Sequence, residues 1–211
     1  MINNDNNNNN NNTNNNSRRY EKGHWDSVIT SYKEVELADN SFQDDDVPKL
    51  LKKVRQHLTD NHLMGNYYDH KEFVRWLPCH AIDMKKDGEL NAHVDSVRFS
   101  GELVAGLSFL SSSIMRLVPC GGDDGDDKNC IGNDDNPTTD ADDSYVDLLL
   151  PPKSLYVLTG VGRYKYSHQI LPDSSVFCTS LHNGTPTKEI IVRRDHRFSV
   201  IFRDAKREKA S

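Results

Sequence analysis

At 211 residues the chain has the length of one domain, and its 26 Lys and Arg against 32 Asp and Glu give a formal charge of −6. That charge is uneven, because residues 121–147 hold ten Asp against Lys128 alone, a net of −9, and leave the remainder at +3. A mildly basic body suits anionic substrates without demanding nucleic acid, and with no apolar run near 18 residues no membrane-spanning helix is expected.

In chain order, the first 17 residues are almost all Asn, a tract with nothing to bury and an expected disordered tail. Only Arg18 and Arg19 hint at the Arg-rich presequence of mitochondrial import. From Tyr20 to Glu36 a mixed pattern suggests a short strand or turn. Asp44-Asp45-Asp46 before Val47-Pro48 reads as a helix start, and Leu50, Leu51, Val54 and Leu58 follow at helical spacing to about Met64. That basic helix is expected to cover a sheet; lipid or nucleic-acid binding by its charged face is the sharper alternative.

After Gly65 the chain turns to short apolar segments. Expected strands are Phe73–Leu77, Cys79–Met84, Leu90–Val94, Leu103–Leu110, Ile114–Val118, Tyr145–Leu150, Leu155–Thr159, Tyr166–Leu171, Glu189–Val192 and Arg197–Arg203. Many short strands with one helix indicate an all-β sandwich or barrel. The Asp/Gly/Asn-rich stretch 121–144 reads as an acidic low-complexity insertion; its acids do not fit the spacing of an EF-hand loop. Cys79, Cys120, Cys130 and Cys178 lack CxxC spacing and are expected as reduced thiols.

The chemistry concentrates at His93 and Asp95. Residues two apart on a strand share a face, so an imidazole and a carboxylate aim at one point. One further His completes a two-His, one-carboxylate set, which holds Fe(II) and leaves open positions. A lone His-x-Asp means little, since a second stands at His24 and Asp26. Three later features favour His93. His168 lies on a short strand, Tyr156 precedes it at even spacing, and Arg197 and Arg203 share a strand face with Ser199. Arg197 suits the distal carboxylate of a keto-dicarboxylate, and Arg203 the metal-proximal end or the surroundings of Asp95. Read singly, His168 is a core histidine and the arginines are a solvated ion-pair face; the order of the whole set argues for a site.

This order resembles the AlkB-like family of Fe(II)/2-oxoglutarate-dependent dioxygenases, in particular its mitochondrial branch. The carrying segments are Arg18-Arg-Tyr-Glu-x-x-His24-Trp-Asp26, Asn91-Ala-His-Val-Asp-Ser96, Val104-Ala-Gly-Leu-Ser108, Met115-Arg-Leu-Val118, Ser154-Leu-Tyr-Val157, Arg163-Tyr-x-x-Ser-His168 and Arg197-x-Ser-Val-Ile-x-Arg203. The resemblance implies a double-stranded β-helix, or jelly roll, over residues 18–204, with a charged tail at 205–211. It also implies His93, Asp95 and His168 as catalytic metal ligands. Contacts to 2-oxoglutarate then fall on Tyr156, Arg197, Phe198, Ser199 and Arg203, with Fe(II) and O2 completing the chemistry.

Where repair members carry Asn and Tyr two apart, an ungapped reading places Ile82 and Met84. The region before residue 90 is also short of the aromatic and basic flap of a base-flipping enzyme. The resemblance therefore implies a monomeric protein hydroxylase linked to mitochondrial fatty-acid metabolism and programmed necrosis. The alternatives are an RNA N-demethylase and a non-catalytic module with a structural metal.

Overall fold

The computed structural model describes residues 28–37, 46–120, 144–180 and 186–207. The Asn-rich tail, the pair His24 and Asp26, and the acidic insertion lie outside them.

Eleven strands are described: β1 (Tyr32–Leu37), β2 (Cys79–Met84), β3 (Leu90–His93), β4 (Ser100–Leu110), β5 (Ser113–Pro119), β6 (Val146–Leu150), β7 (Ser154–Thr159), β8 (Tyr166–Ile170), β9 (Ser175–Ser180), β10 (Pro186–Val192) and β11 (Arg197–Ala205). They form a five-stranded sheet in the order β1-β2-β11-β4-β7, a four-stranded sheet β3-β8-β5-β6 and a β9–β10 hairpin. Every pairing is antiparallel. The crossovers between the two larger sheets give the jelly roll.

The five-stranded sheet is covered on both faces, and its period-two alternation sorts the side chains between two cores. One set, with Cys79, Ala81, Leu103, Ala105, Val200 and Phe202, packs against the helix α1 (Asp46–Leu58) through Leu51 and Leu58. The other, with Met84, Tyr156 and Leu158, meets Met115, Leu150 and Ile170 of the four-stranded sheet. The functional side chains lie in this second, inter-sheet space.

The helix forms as its sequence requires, with Asp46 in the first turn and Leu51, Val54 and Leu58 facing the sheet. Leu50 departs from the expected stripe and is half exposed. Beyond Leu58 the chain widens into a five-residue π turn, Thr59–Leu63.

Four expectations change. Phe73–Leu77 is not a strand: a 3-10 turn covers Lys71–Phe73, and only Trp76 bridges to Asp204. Strand β9 and the one-turn helix α2 (Gly160–Tyr164) were not expected, because neither carries an apolar repeat long enough to stand out. Cys120 is disulfide-bonded rather than reduced, whereas Cys79 and Cys178 are thiols.

The end of β11 is fixed by Asp204, which is fully buried. It accepts hydrogen bonds from the Tyr68 hydroxyl (2.7 Å), the Leu103 amide (2.8 Å) and the Glu102 amide (3.1 Å). Its neighbour Phe202 is fully buried under α1. Replacing Phe202 by Ala is expected to cost about 3–5 kcal/mol of stability, read from urea unfolding of the two proteins.

Candidate metal centre

Strand β3 pairs with β8 so that His93 stands directly opposite His168, their ring centroids 4.2 Å apart. Asp95 follows two residues beyond the end of β3 and turns to the same point, its Oδ2 3.8 Å from His168 Nε2. One nitrogen or oxygen from each of the three lies within 4.8 Å of the others, a spacing that one ion with bonds of about 2 Å can draw together.

The tautomer of His93 is set by its backbone. Nδ1 lies 2.8 Å from the carbonyl of Asn91, which can only accept, so Nδ1 carries the proton and Nε2 offers its lone pair. His168 is buried, and that burial, followed by the nearby His93, pushes its pKa down to about 3. It is therefore a neutral ligand at neutral pH. Asp95 is the opposite case. Burial disfavours its charge, but Arg203, aided by His168 and His93, outweighs burial and holds the carboxyl down to about 2.

Arg203 binds one oxygen of Asp95 only, with Nη2 at 2.7 Å and Nε at 3.2 Å from Oδ1. The other oxygen is left facing His168. A guanidinium placed so keeps the carboxylate from rotating and leaves one oxygen for a cation.

The interior face of the five-stranded sheet continues this site in rows. Arg203 sits opposite Val104; Ile201 opposite Gly106, which pairs with Tyr156; Ser199 opposite Ser108, which pairs with Ser154. Arg197 ends the series, and at about 3.3 Å per residue it lies roughly 20 Å along β11 from Arg203. Its arm folds back, Nη1 donating to Ser199 at 3.0 Å, and its charge interacts with the Tyr156 hydroxyl. Among the described residues, Nε and Nη2 of Arg197 are buried with no hydrogen-bond partner, as are the hydroxyls of Ser108 and Ser154. Buried donors with no acceptor are costly unless something fills the space before them.

Tyr156 lies between the two arginines, and its ring rests on Gly106. A Cβ at position 106 would come within 2.3 Å of the ring and its hydroxyl. Burial raises the Tyr156 pKa, so the group stays a neutral donor.

The sequence-derived set is thus partly gathered. His93, Asp95 and His168 converge, with Arg203 beside Asp95; Tyr156, Ser199 and Arg197 line the adjoining space. Phe198 does not join them: as β11 alternates, its side chain falls on the α1 side, 5.9 Å from the ring of Phe109. Gly106, Ser108, Ser154 and Arg163 escaped the sequence reading. All four stand in the motifs that carry the resemblance, but the first three show their place only through strand register, and nothing in the spacing of Arg163 says where it points.

No family model matches the chain. Two curated relatives do, each over 162 residues and 76% of this chain, and both are described as alpha-ketoglutarate-dependent dioxygenase alkB homolog 7, mitochondrial. The mouse protein is 35% identical and the bovine protein 32%. The chain spans 58% of the length of each. Among solved structures, a prolyl-4-hydroxylase from Pseudomonas putida aligns with a TM-score of 0.48 and 10% identity over 88% of this chain and 76% of its own. OsALKBH1 aligns with a TM-score of 0.46 and 15% identity over 87% and 83%. The similarity to AlkB homologues seen in the sequence motifs therefore extends along most of the chain.

The pKa of His168 makes a stability prediction for the metal-free protein. Folded His168 stays neutral down to about pH 3, whereas unfolded His takes a proton below about 6.5, so stability falls as the pH falls through this window. Asp95, depressed to about 2, adds loss of the same sign only in stronger acid. Between pH 7.5 and pH 5 the unfolding free energy is expected to drop by on the order of 2 kcal/mol through His168, and His168→Gln to flatten that dependence in urea titrations.

Proposed function

We propose, from the similarity to mitochondrial AlkB homologues, that this chain is a Fe(II)- and 2-oxoglutarate-dependent dioxygenase acting on protein. The observation that carries the reading is the buried edge of Arg197, Nε and Nη2, which finds no hydrogen-bond acceptor among the described residues and lies in the same inter-sheet space as His93, Asp95 and His168. A keto-dicarboxylate supplies what both ends lack: oxygens for the fork and a chelating head beside the metal ligands. The charges agree, since Asp95 is the one carboxylate in this set and is taken by Arg203, and a dianion offsets the charge of Arg197.

His93, Asp95 and His168 would hold the metal through two neutral nitrogens and one anionic oxygen, the donor set that suits Fe(II). When bound, Fe(II) and 2-oxoglutarate supply the oxidation, in which O2 is consumed, 2-oxoglutarate leaves as succinate and CO2, and a substrate C–H bond becomes C–OH. Arg203 keeps Asp95 ionised and correctly turned. Arg197 clamps the distal carboxylate through its two remaining N–H directions, with Ser199 holding Nη1 in place. Tyr156, midway, donates its hydroxyl to the same ligand. Ile82, Met84, Met115 and Leu117 wall the space with apolar surface and exclude water.

A protein substrate is favoured by the same walls. Ile82 and Met84 face Ser199 and Arg197 across β2 and β11, offering no polar group to a nucleobase edge. The segments that meet at Asp95 carry exposed Phe99 and Val161, which suit a peptide better than a phosphate backbone. The mitochondrial setting is supported by the relatives' names, and a place in fatty-acid metabolism and programmed necrosis is what the family resemblance implies. Among the described residues no helix is long and apolar enough to cross a membrane.

The test is anaerobic loading with Fe(II) and 2-oxoglutarate, then succinate release in air. Wild-type protein is expected to release succinate, and His93→Ala to fall to background; equal release from both sinks the assignment. Arg197→Lys retains the charge without the fork, and is expected to weaken 2-oxoglutarate binding about 10- to 100-fold while metal affinity holds. Turnover of a methylated oligoribonucleotide, with steep loss in salt, would instead point to nucleic acid.

A further inference from the structure

Asp95 lies in a loop, not on a strand: β3 ends at His93 and β4 begins at Ser100. No ladder fixes the peptide that bears the carboxylate. What fixes it comes from α2. Arg163, only 2% exposed, donates from Nη1 to the Asp95 carbonyl at 2.9 Å, and from Nη2 to Ser100 Oγ at 2.8 Å and the Ser96 carbonyl at 3.4 Å. Ser100 Oγ in turn donates to the Ser96 carbonyl at 2.7 Å. One guanidinium thus ties both ends of the loop together.

Helix α2 is built to deliver that side chain. Gly160 opens it with φ +50, a left-handed turn that residues with a side chain rarely adopt. Tyr164 braces it to the start of β4, its hydroxyl 3.0 Å from the Gly101 carbonyl and 3.1 Å from Glu102 Oε2. Arg163 then points inward while Val161 stays on the surface.

The placement is expensive. The hydrogen bonds of Arg163 go to two neutral carbonyls and a hydroxyl, and its Nε finds no partner among the described residues. A buried cation without a bonded carboxylate is poor for stability alone.

We infer that Arg163 is a positioning residue for the metal centre, holding the Asp95 backbone from α2 while Arg203 holds its carboxylate from β11. The inference rests on the metal-site reading above. Two independent arms then restrain one ligand, and loosening either lets the carboxylate swing off the point that His93 and His168 share. Lys cannot replace Arg163, because a single ammonium does not span the carbonyls of Asp95 and Ser96 as a fork does.

The test is anaerobic titration of the full chain with Co(II), followed by its visible absorption, alongside thermal melting of the metal-free proteins. Arg194 provides the control. It is equally buried and bonds the Lys85 and Gly88 carbonyls, and no hydrogen bond ties it to the metal loop. Arg163→Lys is expected to weaken Co(II) binding about 10-fold or more and to alter the Co(II) spectrum. Arg194→Lys is expected to lower the melting temperature but to leave the Co(II) affinity within about twofold. Ser100→Ala, which keeps the charge and removes one anchor, is expected to shift the affinity in the same direction by less. Wild-type affinity in Arg163→Lys, or equal weakening in Arg194→Lys, overturns the inference. If the wild-type chain itself binds no Co(II) that His93→Ala abolishes, the metal-site reading falls first.

Discussion

The register between β3 and β8 is the constraint on which the site depends. It sets His93 against His168, although 74 residues of chain lie between them. A slip of one residue would turn one ring to the opposite face of the sheet, because side chains alternate with period two. The same two strands carry Leu90 opposite Ile170 in the inter-sheet core, and the pairing shifts between there and His93, three residues on along β3 against two on β8. Packing and coordination are thus joined across a bulge in β3.

Around that alignment the charges are arranged in opposition. Asp95 is ionised in a buried place because Arg203 lies against it, and His168 is neutral in the same place because burial and its neighbours favour no further proton. Both states are those a divalent cation needs, and both exist before one arrives. The arginines divide the labour by strand and helix, with Arg203 and Arg197 at the two ends of one face of β11 and Arg163 reaching from α2.

Much of this was readable in the residues, and the reasons are specific. His-x-Asp, the distant His and Arg-x5-Arg work through period-two geometry, which sequence states directly; nine of the ten expected strands occur with small shifts at their ends. Phe73–Leu77 misled because its contact with β11 stops at one bridge, Trp76 to Asp204, while Val74 and Trp76 pack on the helix-covered core and Phe73 is exposed. Phe198 was drawn in by motif adjacency, although its own parity placed it on the other face. Arg163, Ser108 and Ser154 were beyond reach, since what they do depends on which strands become neighbours and where a one-turn helix aims its side chain. The disulfide at Cys120 was hidden by the absence of any diagnostic spacing.

One small feature reaches further than its size suggests. The Tyr156 ring lies flat because position 106 has no side chain to lift it. The missing methyl group therefore sets the headroom between the two arginines. A bulkier residue there would lift the phenol off the sheet and carry its hydroxyl from its place between Arg197 and Arg203. A position with no side chain of its own thus decides where that hydroxyl stands.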